Sequence, residues 1–397
     1  MSKIETLDQQ LFETPDEVIF CKNCVVSNLR PRTLFNDAGV CSACQWSFTK
    51  DHGIDWESRE RELRELCDRY RSKDGSYDCI VPGSGGKDSA FVAHQLKTQY
   101  GMHPLCVTWA PFEWTEVGWA NLRSFIGSGF NNLVAHPAGD VHRKLARLAF
   151  ELKGDAFEPF VYGQKAFAFH MAEKFNIKLI FYGENGELEY GGSTKYMNLP
   201  KEGPEEWERA YFKGAGVDKL VEVGLDRGIF KKDELTPQSL AWYKAPPPEV
   251  VVSKELEMHW FSYYKKWTPQ ENFYYAMKYT GMETNDAGRT EGTYTKYASL
   301  DDRSDGFHFY FAYLKFGLGR ASRDAQQDIR RHHITRDEGV ALVKRYDGEF
   351  PKRHFKWFLE YLSISEEYFW EVCDFYRGRS PAWERANDQW KLNHTVR

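Results

Sequence analysis

From Tyr77 onward the chain alternates short apolar runs with stretches of helix length, and this alternation restricts its fold more than any other feature. YDCIV precedes a helical stretch over 89–100; PLCVTW, a helix around 119–126 and NNLVAH follow, then helices around 140–152 and 162–175, and finally KLIFYG. Apolar runs without polar alternation are strands buried on both faces. Helix-length connections return the chain to the same end of the sheet, so the pattern predicts an α/β fold: a parallel sheet with helices on both faces. HWFSYYKKW, at 259–267, adds a further candidate strand. Ligands of such sheets bind beyond the carboxyl ends of the strands.

The flanking segments differ in character. Residues 1–54 are loop-rich and carry two cysteine pairs, which reads as a small metal-stapled module. In 55–72, Trp56, Leu63, Leu66 and Tyr70 recur at helical spacing among charges, so an amphipathic helix leads into a main domain over 55–250. Its last part, 200–250, is charged and ends at Pro246-Pro247-Pro248, as an insertion or linker does. Residues 251–397 read as a mostly helical, substrate-binding region, with helix starts at Thr268-Pro269-Gln270-Glu271 and at Thr335-x-x-Glu338.

With 42% apolar and 16% aromatic residues the chain has ample material for a core, which excludes disorder. No apolar stretch reaches membrane-spanning length and the first ten residues lack a basic stretch followed by an apolar run, so a soluble cytoplasmic protein without a membrane partner is expected. A net charge of −5 supplies no global field for a nucleic-acid backbone, so no nucleic-acid partner is expected and any anion site must be local.

Cys21-x-x-Cys24 and Cys41-x-x-Cys44 have the spacing of two zinc knuckles, each offering two thiolates to one tetrahedral ion. Four thiolates leave no open coordination position, so a structural Zn²⁺ is expected; the spacing is also compatible with an iron–sulfur cluster. Cys79 and Cys106 lie in strand-like runs, where a thiol acts as a small core residue.

The run Val81-Pro82-Gly83-Ser84-Gly85-Gly86-Lys87-Asp88-Ser89 closes the first strand and opens a helix. Small residues let the backbone approach an anion, successive N–H groups line the loop, and the helix start adds positive potential. The glycine spacing is not that of a Walker A loop. After the strand KLIFY comes Gly183-Glu184-Asn185-Gly186-Glu187-Leu188-Glu189-Tyr190-Gly191-Gly192, an acidic loop expected at the same edge. Further on, Lys315, Arg320, Arg323, Arg330, Arg331 and Arg336 form a basic group interrupted only by Asp324 and Asp328, suited to phosphate or carboxylate recognition.

Ser84-Gly85-Gly86-Lys87-Asp88-Ser89 resembles the PP-loop of N-type ATP pyrophosphatases, the group that includes asparagine and GMP synthetases and several tRNA-modifying enzymes. The resemblance implies that this loop grips the phosphates of ATP, that pyrophosphate leaves, and that the substrate takes AMP. The acidic loop resembles that of asparagine synthetases, which implies Mg²⁺ held by carboxylates. Glu187 is then the Mg²⁺ candidate and Glu184 the catalytic acid or base beside Lys87, with Glu189 able to exchange roles with either.

Over nearly its whole length the chain resembles bacterial N-acetyl sugar amidotransferases. This rests on the cysteine pairs, Tyr182-Gly183-Glu184-Asn185 with Glu189-Tyr190-Gly191-Gly192, and Lys315-Phe316-Gly317-Leu318-Gly319-Arg320 through Ile329-Arg330, Ile334-Thr335-Arg336 and Tyr346-Asp347-Gly348. It departs at His332-His333, where that family carries glycine. The resemblance implies conversion of an acetamido to an acetamidino group on a nucleotide-activated sugar for surface polysaccharide (lipopolysaccharide O-antigen) or other glycan synthesis. Lys315, Arg320 and Arg330 would hold the anionic ligand. It also implies ammonia from a separate glutaminase with a barrel-type channelling subunit. The competing expectations are a tRNA-thiolating PP-loop enzyme and a non-catalytic zinc-bearing adaptor.

Overall fold

The computed structural model describes residues 4–193, 195, 197–203 and 216–397. Its central sheet consists of β1 (Cys79–Pro82), β2 (Pro104–Trp109), β3 (Asn132–Ala135), β4 (Leu179–Tyr182) and β5 (Glu257–Trp260), all parallel, in the order β3-β2-β1-β4-β5. β2 and β4 are buried along their whole length, as continuous apolar runs require. The period of two splits the strand residues between two cores. Ile80, Leu105, Val107 and Ile180 pack with α5 (Gly139–Lys153) and α6 (Glu158–Phe175). Cys79, Val81, Cys106, Leu179 and Phe181 pack with α2 (Trp56–Tyr70), α3 (Lys87–Gln99) and the helix Pro269–Thr280. Cys79 and Cys106 are thus core residues.

From β1 the chain proceeds outward through β2 and β3, then crosses to the other side of β1 for β4 and β5. The direction reverses between β1 and β4, and the crevice beyond their carboxyl ends is the ligand position of open α/β sheets. The small-residue loop leaves β1 there, and the acidic loop leaves β4 beside it.

Some boundaries shift. α3 begins at Lys87 rather than Ser89, and α6 begins at Glu158, with Pro159 in its first turn where a missing N–H is harmless. The described part of 200–250 is folded against the main core, which buries Leu220, Phe230 and Tyr243. At Thr268 the expected side-chain cap is absent although the helix starts at Pro269, whereas the Thr335–Glu338 box forms. The mostly helical carboxyl-terminal region ends in an antiparallel hairpin, Trp383–Ala386 with Gln389–Leu392. Its turn residues, Asn387 and Asp388, both have positive φ, as a two-residue type I′ turn demands. Among the described residues no helix is long and apolar enough to cross a membrane.

Candidate functional site

The loop between β1 and α3 is tight enough to dictate its composition. A Cβ on Gly83 would lie 2.0 Å from Ser89 Cβ, and Gly85 has φ +81° with Phe125 and Asn121 against it. Only glycine fits either position without displacing backbone or core. Ser84 Oγ donates to Asp301 Oδ2 at 2.6 Å, which ties the loop to the chain just before the helix Asp305–Phe316.

A cavity of about 390 Å³ opens over this loop. Ser84, Gly86, Lys87, Asp88 and Ser89 form its floor, Gly183 and Glu184 one wall, and Arg320 and Arg323 its rim. Lys87 Nζ pairs with Asp88. Burial opposes the Lys87 charge, but Asp88 and Glu184 outweigh it and hold the ammonium above its ordinary pKa. Asp88 Oδ1 is buried with no hydrogen-bond partner in the protein. An orphaned carboxylate oxygen facing an anion cradle is an arrangement that a divalent cation completes, so the donor set fits Mg²⁺.

Burial, followed by the Asp88 charge, raises Glu184 above the usual carboxylate range against the pull of Arg323 and Lys87. Its Oε1 accepts from Tyr190 Oη at 2.9 Å, and the Arg323 guanidinium lies 4.0 Å from the Tyr190 ring centroid. Lys165 of α6 also lines the cavity, its Nζ 4.3 Å from the Tyr182 ring centroid; burial lowers it to about 8 despite Glu202 and Glu184. Asp301 is likewise raised by burial.

The remaining sequence candidates lie elsewhere. Glu189 points away from the cavity, into a buried cluster with Lys50 Nζ at 2.5 Å, Arg331 Nη2 at 2.8 Å and Trp46 Nε1 at 3.0 Å. Despite burial, Lys50 and Arg331 hold it down to about 2. This dedicated ion pairing takes Glu189 out of the crevice. Glu187 turns to Arg32, at 2.7 Å, and does not line the cavity either. Lys315 is buried against Asp8 and the Lys153 carbonyl. Arg330 donates to the Glu189 carbonyl and to Gln326. The basic tract is therefore divided: Arg320 and Arg323 face the crevice, while Arg330 and Arg331 hold the acidic loop from behind. Arg336 donates to the carbonyls of Cys21 and Cys24.

The four cysteines are buried, and their Sγ atoms all lie within 4.8 Å of one another. Cys21–Cys44 and Cys24–Cys41 are separated by 3.9 and 3.7 Å. A tetrahedron with Zn–S bonds of about 2.3 Å has edges of about 3.8 Å, so the cluster has the dimensions of a zinc site and not of disulfides. Backbone N–H groups of Asn23 and Cys41 point at Cys21 Sγ, which supports thiolate charge. α1 (Ser42–His52), capped by Cys41, contains Cys44 and carries Trp46 and Lys50 to Glu189, so the cysteine module braces the loop that presents Glu184.

Residues that sequence patterns did not mark as ligands include Asp301, Tyr297 and Lys165. Each reaches the crevice from a distant element, and only the fold brings them together.

Fold and site together define a parallel α/β protein with an anion cradle at its switch point and a buried four-cysteine cluster consistent with zinc. Residues 291–397 match the family described as LPS biosynthesis protein WbpG-like, C-terminal domain, so this part of the chain is similar to that domain. The uncharacterized protein MJ1599 of Methanocaldococcus jannaschii is 36% identical over 89 residues, which make up 22% of this chain and 31% of that protein. The match thus spans less than a third of that relative.

Proposed function

We propose that this protein is an ATP-dependent amidotransferase that converts an acetamido group of a nucleotide-activated sugar to an acetamidino group. The observation that carries the reading is the shared cavity: Arg320 and Arg323, from the WbpG-like domain, line the same crevice as the Ser84–Ser89 loop and Glu184. A domain matched to lipopolysaccharide biosynthesis thereby supplies cations to a site with the composition of a PP-loop.

An acetamide resists ammonia because its oxygen is a poor leaving group. In the proposed reaction that oxygen attacks the α-phosphorus of ATP, the bond to the bridging oxygen breaks, and pyrophosphate departs. Lys87 and the loop N–H groups stabilise the charge that develops on it. Mg²⁺ at Asp88 would add charge neutralisation there. Ammonia then adds to the imidate carbon, Glu184 takes the proton that the new nitrogen must lose, and the carbon–oxygen bond breaks. The acetamide oxygen leaves in AMP. Glu184 suits this role because its proton affinity is raised while Tyr190 and Arg323 fix its position. A separate glutaminase would provide the ammonia, with ammonium replacing it in vitro.

The test is release of AMP and pyrophosphate from ATP with Mg²⁺ and ammonium, comparing a UDP-linked diacetamido uronic acid, a CMP-linked diacetamido nonulosonic acid and bulk tRNA, with product mass read in parallel. A sugar product in which NH replaces O supports the reading. Release stimulated by tRNA alone would replace it with an RNA-modifying activity.

A further inference from the structure

A second cavity, of about 460 Å³, lies behind the first. Ser299, Leu300 and Asp302 line both, so these residues form a partition between the two. The far side is built from the start of α4 (Glu116–Gly127), the loop 283–291 and the turn around Arg353 and His354.

The partition has unsatisfied donors. Ser299 has φ +55°, a left-handed conformation that costs a serine energy, and its buried Oγ has no partner in the protein. The neighbouring Arg303 also lines the second cavity; its Nε is buried without a partner, and its guanidinium joins no ion pair among the described residues. The other cations there are engaged: Arg289 is held by both oxygens of Glu349, and Arg353 faces Asp286 at 3.7 Å. His354 registers the resulting field, since burial and then Arg353 and Arg303 press it down to about 4.

Acidic groups are present too, but several are occupied. Asp302 accepts from the amides of Phe112 and Ser304 and from Ser304 Oγ, and Glu291 accepts from the Arg353 amide. Glu116 and Glu283 remain as acceptors, beside the Asn285 and Thr284 side chains. Donors in want of an acceptor on one side and carboxylates able to receive hydroxyl protons on the other form a lining complementary to a polyhydroxylated molecule with one anionic group.

We infer that the second cavity is a binding site for the oxyanion-bearing end of a small polyhydroxylated ligand, held by Arg303 and Ser299. Its position one partition away from the nucleotide crevice makes it the seat of the acceptor's charged end. That identity as acceptor rests on the amidotransferase reading; the binding site itself does not.

The experiment is ligand-observed NMR binding to the full chain in the absence of ATP, with D-glucuronate, D-glucose 1-phosphate and D-glucose as probes. Either charged sugar is expected to bind at least about tenfold more tightly than glucose, as loss of a charge-assisted contact implies. Whichever of the two binds better identifies carboxylate or phosphate as the anion. Arg303→Gln is expected to abolish that preference, and Ser299→Gly, which suits the left-handed backbone and removes the hydroxymethyl group, to weaken it. Thermal unfolding of each variant separates loss of the site from loss of the fold. Equal binding of charged and neutral sugars, no binding of any of them, or a charged-sugar preference unchanged in folded Arg303→Gln would overturn the assignment. Failure of AMP release with every acceptor, with this preference intact, would remove the amidotransferase reading and leave the site standing.

Discussion

Lys50 Nζ lies 2.5 Å from Glu189 Oε1, and both side chains are almost completely buried. The contact joins the helix that carries Cys44 to the loop that follows β4. With Arg331 on its other oxygen, Glu189 is a bracket between three elements. Glu184, five positions earlier, faces the crevice over the Ser84–Ser89 loop, so two carboxylates of one loop serve on opposite sides of it.

Glu189→Gln is expected to destabilise the fold by about 3 kcal/mol or more at neutral pH, because it leaves buried cations uncompensated. Glu189 is held to about 2 in the folded protein, below the ordinary glutamate value of about 4.3. A depressed carboxylate contributes stability that is fully present above its unfolded value and is lost as pH falls through the folded one. The gap in unfolding temperature between wild type and variant is therefore expected to shrink below about pH 4; around neutrality it also varies, because burial lowers Lys50 to about 7 against the pull of Glu189. A gap that widens below about pH 4 would contradict the ion-pair assignment.

Removing the metal reaches the same bracket from the other end. Cys24→Ser is expected to lose the bound ion, measured by emission spectrometry on the purified protein, and to lower the unfolding temperature. Trp46 lies between the cluster and Glu189, so its fluorescence is expected to change as the ion is chelated, although the other tryptophans require a Trp46→Phe control. Zinc predicts a protein without visible absorption, and an iron–sulfur cluster a coloured one.

The first strand and its loop were legible in the sequence because their chemistry is local: small residues between an apolar run and a helix leave little choice of conformation. Division of labour within a tract was not. Arg320 and Arg323 are three apart on one helix and share a face, whereas Arg330 lies about 15 Å further along the axis, beyond the crevice. A helical projection puts all three on one face, so only their distance along the axis separates them, and which turn meets the crevice depends on where the helix docks. Asp347 fixes that, accepting from the Gly319 and Ser322 amides at the helix start. The one-turn helix Gly186–Tyr190 likewise sends Glu187 and Glu189 away from Glu184, and no periodicity is readable over so few residues. At His332 the structure does explain the departure noted in the sequence: φ is +60°, a conformation in which glycine is at ease.

His332→Gly is accordingly expected to be tolerated, changing stability by no more than about 1 kcal/mol, since relief of the left-handed strain offsets the added freedom of the unfolded chain. Equilibrium denaturation measures this directly. A loss well beyond that figure would mean that the imidazole itself holds the turn.

The chemistry gives the sharpest separation of roles. Lys87→Met is expected to reduce kcat for AMP release by about 10²–10³-fold, the scale for removing one preorganised electrostatic group. Glu184→Gln should reduce it by about 10²–10⁴-fold. The two differ in their pH dependence. Glu184 acts as a base only when ionised, and burial together with Asp88 raises its pKa, so activity is expected to fall on acidification already above the ordinary glutamate range. In Glu184→Gln that acid limb should vanish from the residual rate, whereas Lys87→Met should keep a limb but displace it upward, because removing the ammonium takes away a charge that favours the carboxylate. An acid limb that survives unchanged in Glu184→Gln would assign the proton transfer to another group, and Lys165, lowered to about 8 in the same cavity, would be next to test.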